Sequence, residues 1–270
     1  TKGAEAISYV QDISYNASGQ IKAISYGNNV QTTYAYGQDL RLSRILTQNP
    51  ALTTLQDLNY IFDRNGNLAT LTDNLRSNIR SYIYDDLDRL TQAQNVPNPD
   101  GGYTTFNYQY DSIGNMVYKS DTGVMNYGFN AGPHALTSAG GYSYSYDANG
   151  NMLSGKNKAM EYDVENRLSK VDASGIITTF LYDGDGGRVK KSAVNGQQST
   201  ETTYIGSLFE INNDYTDSGQ ITQIKKHIFA GSQRIATVSS LRGSEATEAI
   251  SYYHSDHLGS SNIITDQNGN

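Results

Sequence analysis

The chain has neither cysteine nor tryptophan, and only 4 of its 270 residues are proline. Without thiols, disulfides and thiolate chemistry are excluded within this chain, though the redox compartment stays open. No apolar run approaches the roughly 20 residues of a membrane-spanning helix. The longest grouping, Ile176 to Tyr182, is strand-sized. Positive charge is also scarce. Twenty Lys and Arg stand against 27 Asp and Glu, and a net charge of −7 argues against a nucleic-acid surface, which needs a basic stripe to displace counterions. No signal peptide is visible, and the repeats described next begin within the first fifteen residues, so the sequence reads as a piece of something longer.

What is abundant is tyrosine, 22 residues, and glycine, 26. Tyrosine suits a pleated, half-buried surface, and glycine without proline suggests many tight turns. One unit recurs. Tyr60-Ile61-Phe62-Asp63 precedes Gly66-Asn67-Leu68, Tyr108-Gln109-Tyr110-Asp111 precedes Gly114-Asn115-Met116, and Tyr144-Ser145-Tyr146-Asp147 precedes Gly150-Asn151-Met152. A second flavour carries arginine: Tyr84-Asp85 leads to Arg89-Leu90, and Tyr162-Asp163 to Arg167-Leu168.

The last aromatic and the returning apolar residue are six apart in Tyr15 to Ile21, Tyr36 to Leu42, Phe62 to Leu68, Tyr84 to Leu90 and Phe229 to Ile235. The interval is seven for Tyr182 to Val189. Aromatics two apart share one strand face. The aspartate accepts hydrogen bonds from backbone N–H groups two or more residues on, and a glycine permits the positive φ that closes the turn. Arg89, Arg167 and Arg188 are expected to span their turns.

Twelve anchors follow, at 15, 36, 62, 84, 110, 129, 146, 162, 182, 204, 229 and 253, with Phe129-Asn130 and Tyr204-Ile205 degenerate. Their spacing averages about 22 residues, room for two strands and turns but not for a substantial helix. Pro97-Asn98-Pro99-Asp100-Gly101-Gly102 is expected to form a longer loop, and residues 1–270 a single domain. Some 24 strands at about 4.8 Å each give a ribbon of about 115 Å. Accumulated twist should make such a ribbon wind on itself, as a spiral, a solenoid or part of a hollow shell.

The Tyr-x-Tyr-Asp-x-x-Gly-Asn and Tyr-Asp-x-x-x-Arg-Leu units resemble the YD repeats of bacterial Rhs proteins, insecticidal toxin-complex components and animal teneurins. The stretch Tyr252-Tyr253-His254-Ser255-Asp256-His257-Leu258-Gly259-Ser260 is similar to the segment before the Rhs core box. The resemblance implies an all-β shell of tandem hairpins that encapsulates or displays a C-terminal toxin in secreted or surface-bound bacterial proteins, or that serves adhesion. It implies as partners the remainder of the parent chain, and a protein or glycan ligand. The autoproteolytic box of toxin-bearing members has no counterpart here, so no catalytic residue is carried over.

Chemistry has few footholds. His254, Asp256 and His257 are the one cluster with metal-like spacing, but a further ligand from elsewhere is needed. Asp63–Asn67 and Asp183–Gly187 resemble calcium loops, yet lack the twelve-residue spacing and closing glutamate of an EF-hand. Turn capping accounts for them. Acidic residues recur at equivalent positions, so no catalytic carboxylate pair stands out. The expectation is a non-enzymatic scaffold with no catalytic, cofactor or metal site, with an adhesion module or strand-edge fibre as alternatives.

Overall fold

The structure, a computed structural model, describes residues 7–128, 132–243 and 248–270. The degenerate copy Phe129-Asn130 lies outside the described residues. All regular structure in the described residues is β, in twenty-five strands without a helix. The first eight are β1 (Val10–Tyr15), β2 (Ile21–Tyr26), β3 (Gln31–Tyr36), β4 (Leu42–Gln48), β5 (Thr54–Phe62), β6 (Leu68–Asp73), β7 (Asn78–Tyr84) and β8 (Leu90–Pro97). Next come β9 (Tyr103–Tyr110), β10 (Met116–Lys119), β11 (Gly123–Tyr127), β12 (Leu136–Ala139), β13 (Tyr142–Ser143), β14 (Ser145–Tyr146), β15 (Met152–Gly155), β16 (Lys158–Tyr162) and β17 (Leu168–Ala173). The remainder are β18 (Ile176–Tyr182), β19 (Arg188–Asn195), β20 (Gln198–Ile205), β21 (Phe209–Thr216), β22 (Gly219–Ala230), β23 (Gln233–Leu241), β24 (Ala249–Ser255) and β25 (Ser261–Thr265).

These strands form two compact units. The first holds residues up to 105, 226–239 and the described residues from 248; the second holds 106–225 and 240–243. In the first unit, β1 to β8 pair antiparallel in chain order, and β23, β24 and β25 pair likewise. In the second, β10 to β13 and β14 to β21 run as antiparallel meanders.

The six-residue interval is a bulged hairpin. In the turn after Tyr146, Asp147 Oδ1 accepts from the N–H groups of Asn149 at 2.9 Å and Asn151 at 2.8 Å. The Asp147 N–H bonds the Asn151 carbonyl, and Gly150 at φ 86° donates back to the Asp147 carbonyl. A turn closed by a left-handed residue leaves one residue extra, so the register shifts between Ser145 and Tyr146, and Tyr146 faces Met152. Identical shifts fall at Ile61/Phe62, Ile83/Tyr84 and Glu161/Tyr162.

Several expectations need correction. Tyr182 pairs with Arg188, so that interval is also six. The proline-flanked segment is no longer loop: Asn98 caps the same turn, with Gly102 N–H on its Oδ1 at 2.8 Å. At the end of the chain the bulged pair is Ser255 with Ser261, not one anchored at Tyr253. Phe229 to Ile235 keeps the interval by coincidence. Ala230 replaces the capping aspartate, and only Gly231 and Ser232 separate β22 from β23.

Burial divides the units sharply. In the first, Ile24 and Tyr26 of β2 and Val30 pack with Ile235, Ala236 and Tyr252 of β23 and β24. A second cluster joins Ile45, Leu58, Tyr60 and Leu71. In the second unit Ala139 is the sole buried hydrophobic residue among those described. Its strands alternate instead. Tyr110, Tyr127, Tyr146, Met160, Tyr162, Phe180 and Tyr182 lie half-buried on one face, while Gln109, Asn126, Ser145, Glu161 and Thr179 are exposed.

Candidate functional site

Two repeating devices hold neighbouring hairpins together. The first lies in the turns, where the two sequence flavours prove to be two answers to one geometric demand. In these copies the fourth residue after the capping aspartate satisfies its second carboxylate oxygen. Asn67, Asn115 and Asn151 do so through Nδ2 at 3.1, 2.8 and 2.9 Å, and Arg89 and Arg167 through Nε at 2.7 Å. The Arg89 guanidinium thus holds the Asp85 carboxyl below the usual range, and the Asn151 amide does the same for Asp147.

Each flavour also reaches its neighbour. Asn65 and Asn67 both donate to Asp88 Oδ1, and Asn149 and Asn151 to Asn166 Oδ1. Asp88 and Asn166 occupy the left-handed position that glycine fills in the other flavour, with φ of 58° and 60°. Arg41 and Arg167 donate onward to the carbonyls of Asp63 and Asp183. Arg188 departs from expectation. Its guanidinium stacks on Tyr204 and Phe180, at 4.9 and 5.6 Å, instead of spanning the turn.

The second device is the tyrosine itself. The hydroxyls of Tyr36, Tyr84, Tyr146 and Tyr182 donate to the carbonyls of Ile21, Leu68, Leu136 and Leu168, at 2.8 to 3.0 Å. Those carbonyls belong to the returning residue of the hairpin before. Tyr127 does the same to Met116 at 2.9 Å. The ring therefore packs across one strand pair while its tip ties the next.

The first unit adds a buried polar row. Thr32, Thr47 and Gln56 face one another across β3, β4 and β5, with Thr32 and Thr47 hydroxyls 2.9 Å apart and Thr47 donating to Gln56 Oε1 at 3.1 Å. His254 of β24, fully buried, meets this row through Nδ1 at 3.5 Å from Thr32 Oγ1. Its Nε2 lies 2.9 Å from Thr265 Oγ1, which accepts from Asn28 Nδ2 at 2.9 Å. The Gln56 end sets a direction that can run along the row. Gln56 Oε1 only accepts, so with Thr47 donating to it and Thr32 donating to Thr47, the consistent assignment for a neutral ring puts the proton of His254 on Nδ1 and has Thr265 donate to Nε2. Burial drives the His254 pKa down to about 4, so the ring is neutral in this arrangement. Its edge meets Tyr26, with ring centroids 4.4 Å apart.

The His254, Asp256 and His257 cluster is therefore pulled apart. His254 belongs to the buried row, Asp256 caps its own turn through the N–H groups of Leu258 and Ser260, and the His257 ring lies against Tyr60 at 4.7 Å. No group of three potential metal ligands gathers among the described residues. The carboxylates of Asp63 and Asp183 likewise accept from their own turn N–H groups, at 2.7 to 3.1 Å. Asn28, Thr32, Thr47, Gln56 and Thr265 carried no motif, and nothing local in the sequence marked them.

The first unit carries a groove of about 870 Å³, lined among others by Tyr34, Tyr36, Phe229, Arg234, Asp256 and His257. Burial pushes the Tyr34 phenol up to about 12, so this wall of the groove stays uncharged.

Comparison with known proteins agrees with this architecture. Toxin subunit YenC1 of Yersinia entomophaga is 27% identical over 267 residues, covering 77% of this chain and 27% of that protein. The tRNA nuclease WapA of Bacillus subtilis is 32% identical over 152 residues, 49% of this chain and 6% of WapA. The chain thus spans about a quarter or less of these relatives. Crystal structures of TcdB2-TccC3-Cdc42 and TcdB2-TccC3 superpose with TM-scores of 0.83 and 0.79 at 20% identity, covering all of this chain and 16% of theirs. The fold is shared with those structures. The profile of the Teneurin YD-shell family matches residues 53–205, and the chain, with its aspartate-capped turns and tyrosine ties, belongs to that family of tyrosine–aspartate repeat proteins.

Proposed function

We propose that the chain is a wall segment of a YD shell, a non-catalytic scaffold within a larger secreted or surface-exposed toxin protein that encloses or displays another domain. The observation that carries this reading is the second unit's amphipathic sheet. One face presents a set of half-buried, mostly aromatic side chains, the other is open and mixes polar residues with Val124, Leu153 and Leu181, and the hairpins are tied to one another through turns and tyrosine tips. A sheet bonded this way along its length supports itself hairpin by hairpin, as a repeat wall must. The partners are the rest of the parent chain and a domain it carries. No reaction is assigned to these residues.

The test is electron cryomicroscopy of the chain expressed with the sequence that flanks it in its own gene. Density for a second domain inside a β-walled cavity supports the reading. A sheet with both faces open to solvent and flanking domains outside removes it.

A further inference from the structure

The groove of the first unit has a lining that the scaffold reading does not use. Its lining includes the apolar Leu42 and Ile45 with Tyr34 and Tyr36, and the Tyr36 hydroxyl is already committed to the Ile21 carbonyl. Phe229 borders it with 36% of its surface exposed, so part of one ring face is free. Two charged groups complete the lining. The Arg234 guanidinium lies 4.4 Å over the Tyr253 ring, which occupies its flat face and leaves its N–H edge available. Among the described residues no carboxylate lies within ion-pair distance of it. Asp256 spends Oδ1 on the N–H groups of Leu258 and Ser260, and its Oδ2 meets no donor among the described residues.

A donor edge and an acceptor oxygen in one groove select against simple ions. An anion drawn to Arg234 meets Asp256, and a cation drawn to Asp256 meets Arg234. A hydroxyl both donates and accepts, so a neutral polyol satisfies both at once. The exposed phenyl ring suits the apolar C–H face of a sugar ring, and the volume lies within the usual range for small-ligand sites.

We propose that this groove binds a short neutral oligosaccharide, one sugar stacked on Phe229 and its hydroxyls shared between Arg234 and Asp256. The inference stands independently of the scaffold reading.

The experiment is binding of the fluorescently labelled whole chain to an array of neutral and acidic glycans, followed by saturation-transfer NMR with the best neutral glycan. Phe229→Ala and Arg234→Ala are run beside the parent, with thermal melts and amide spectra to show that each variant is folded. Both side chains are exposed, so folding should be retained. The expected result is saturable binding of a neutral glycan, weakened at least tenfold by each substitution and not displaced by sodium sulfate. Binding of acidic glycans alone, displacement by sulfate, affinity unchanged in both folded variants, or no neutral glycan bound overturns the proposal.

Discussion

The two units are built from the same repeat, yet they are stabilised differently. The second relies on contacts between sequence neighbours: turn to turn, tyrosine tip to the previous hairpin, and half-buried aromatics side by side on one face. The first has all of these and also a true interior, because β23 and β24 pack on β2 and β3 and bury Ile24, Tyr26, Val30, Ile235 and Tyr252. The lesson is that the repeat by itself makes a cohesive sheet, while a dry core requires strands far apart in sequence to meet. Asn28 and Thr265, hydrogen-bonded at 2.9 Å, are separated by 237 positions.

That contrast can be broken most severely at Gly27. A Cβ there would sit 2.0 Å from the Ser8 carbonyl oxygen and 2.8 Å from the Tyr252 hydroxyl, and the backbone atom has nowhere to go. Gly27→Ala is expected to cost roughly 3 kcal/mol or more, read by chemical denaturation. Hydrogen exchange should show the loss in the first unit while protection around β16 to β20 is kept.

Next in size is the buried row. His254→Ala removes a ring from a site with no exposure and takes from the Thr265 hydroxyl its partner ring, for an expected loss of about 3 kcal/mol. Met160→Ala, a truncation on the half-buried face of the second unit, should cost about 1 kcal/mol. Equal losses for the two would refute the contrast.

Acid should also separate the units. An unfolded histidine titrates near 6.5, whereas His254 in the fold holds out to about 4, and burial lowers the pKa of His257 too. Between those values the unfolded chain takes up a proton that the fold refuses. The stability of the first unit is therefore full above pH 6.5 and falls as the pH drops towards 4. The second unit should hold until the capped carboxylates of Asp147 and Asp163, lowered in the fold, begin to protonate. Amide exchange at pH 7 and pH 5 reads the difference. Parallel loss in both units would count against it.

The smallest effect is expected at a single tyrosine tip. Tyr182→Phe deletes the bond to the Leu168 carbonyl and keeps the ring, costing about 1 kcal/mol in a melt. Phe62 already occupies the equivalent position of its own repeat, so the loss should be one tie and not the hairpin.

How much of this was written in the chain can be judged from particular residues. The six-residue interval exposed the turns because an aspartate cap and a left-handed residue leave a local trace, and Asp147, Gly150 and Asn151 lie within five positions. Where the trace was partial the reading slipped. Asn49 and Asn98 cap the same turn without a preceding aromatic and were passed over as repeat copies, and Arg188 was assigned to a turn when it stacks on rings. The groove and the buried row left no local trace. Thr47 looks like any strand threonine until Gln56 and Thr32 arrive from adjacent strands and His254 from the end of the chain.

The row of Asn28, Thr265, His254, Thr32, Thr47 and Gln56 has one more consequence, for assembly errors. A sliding strand must move by two residues to keep the same face inward. Such a slip of β24 over β3 would take His254 away from Thr32, and would part His254 from Thr265 or Thr265 from Asn28. Misdocked arrangements of comparable apolar contact would thus be penalised by several stranded polar groups. The row acts as a proofreading mark, admitting the returning strands in one alignment only.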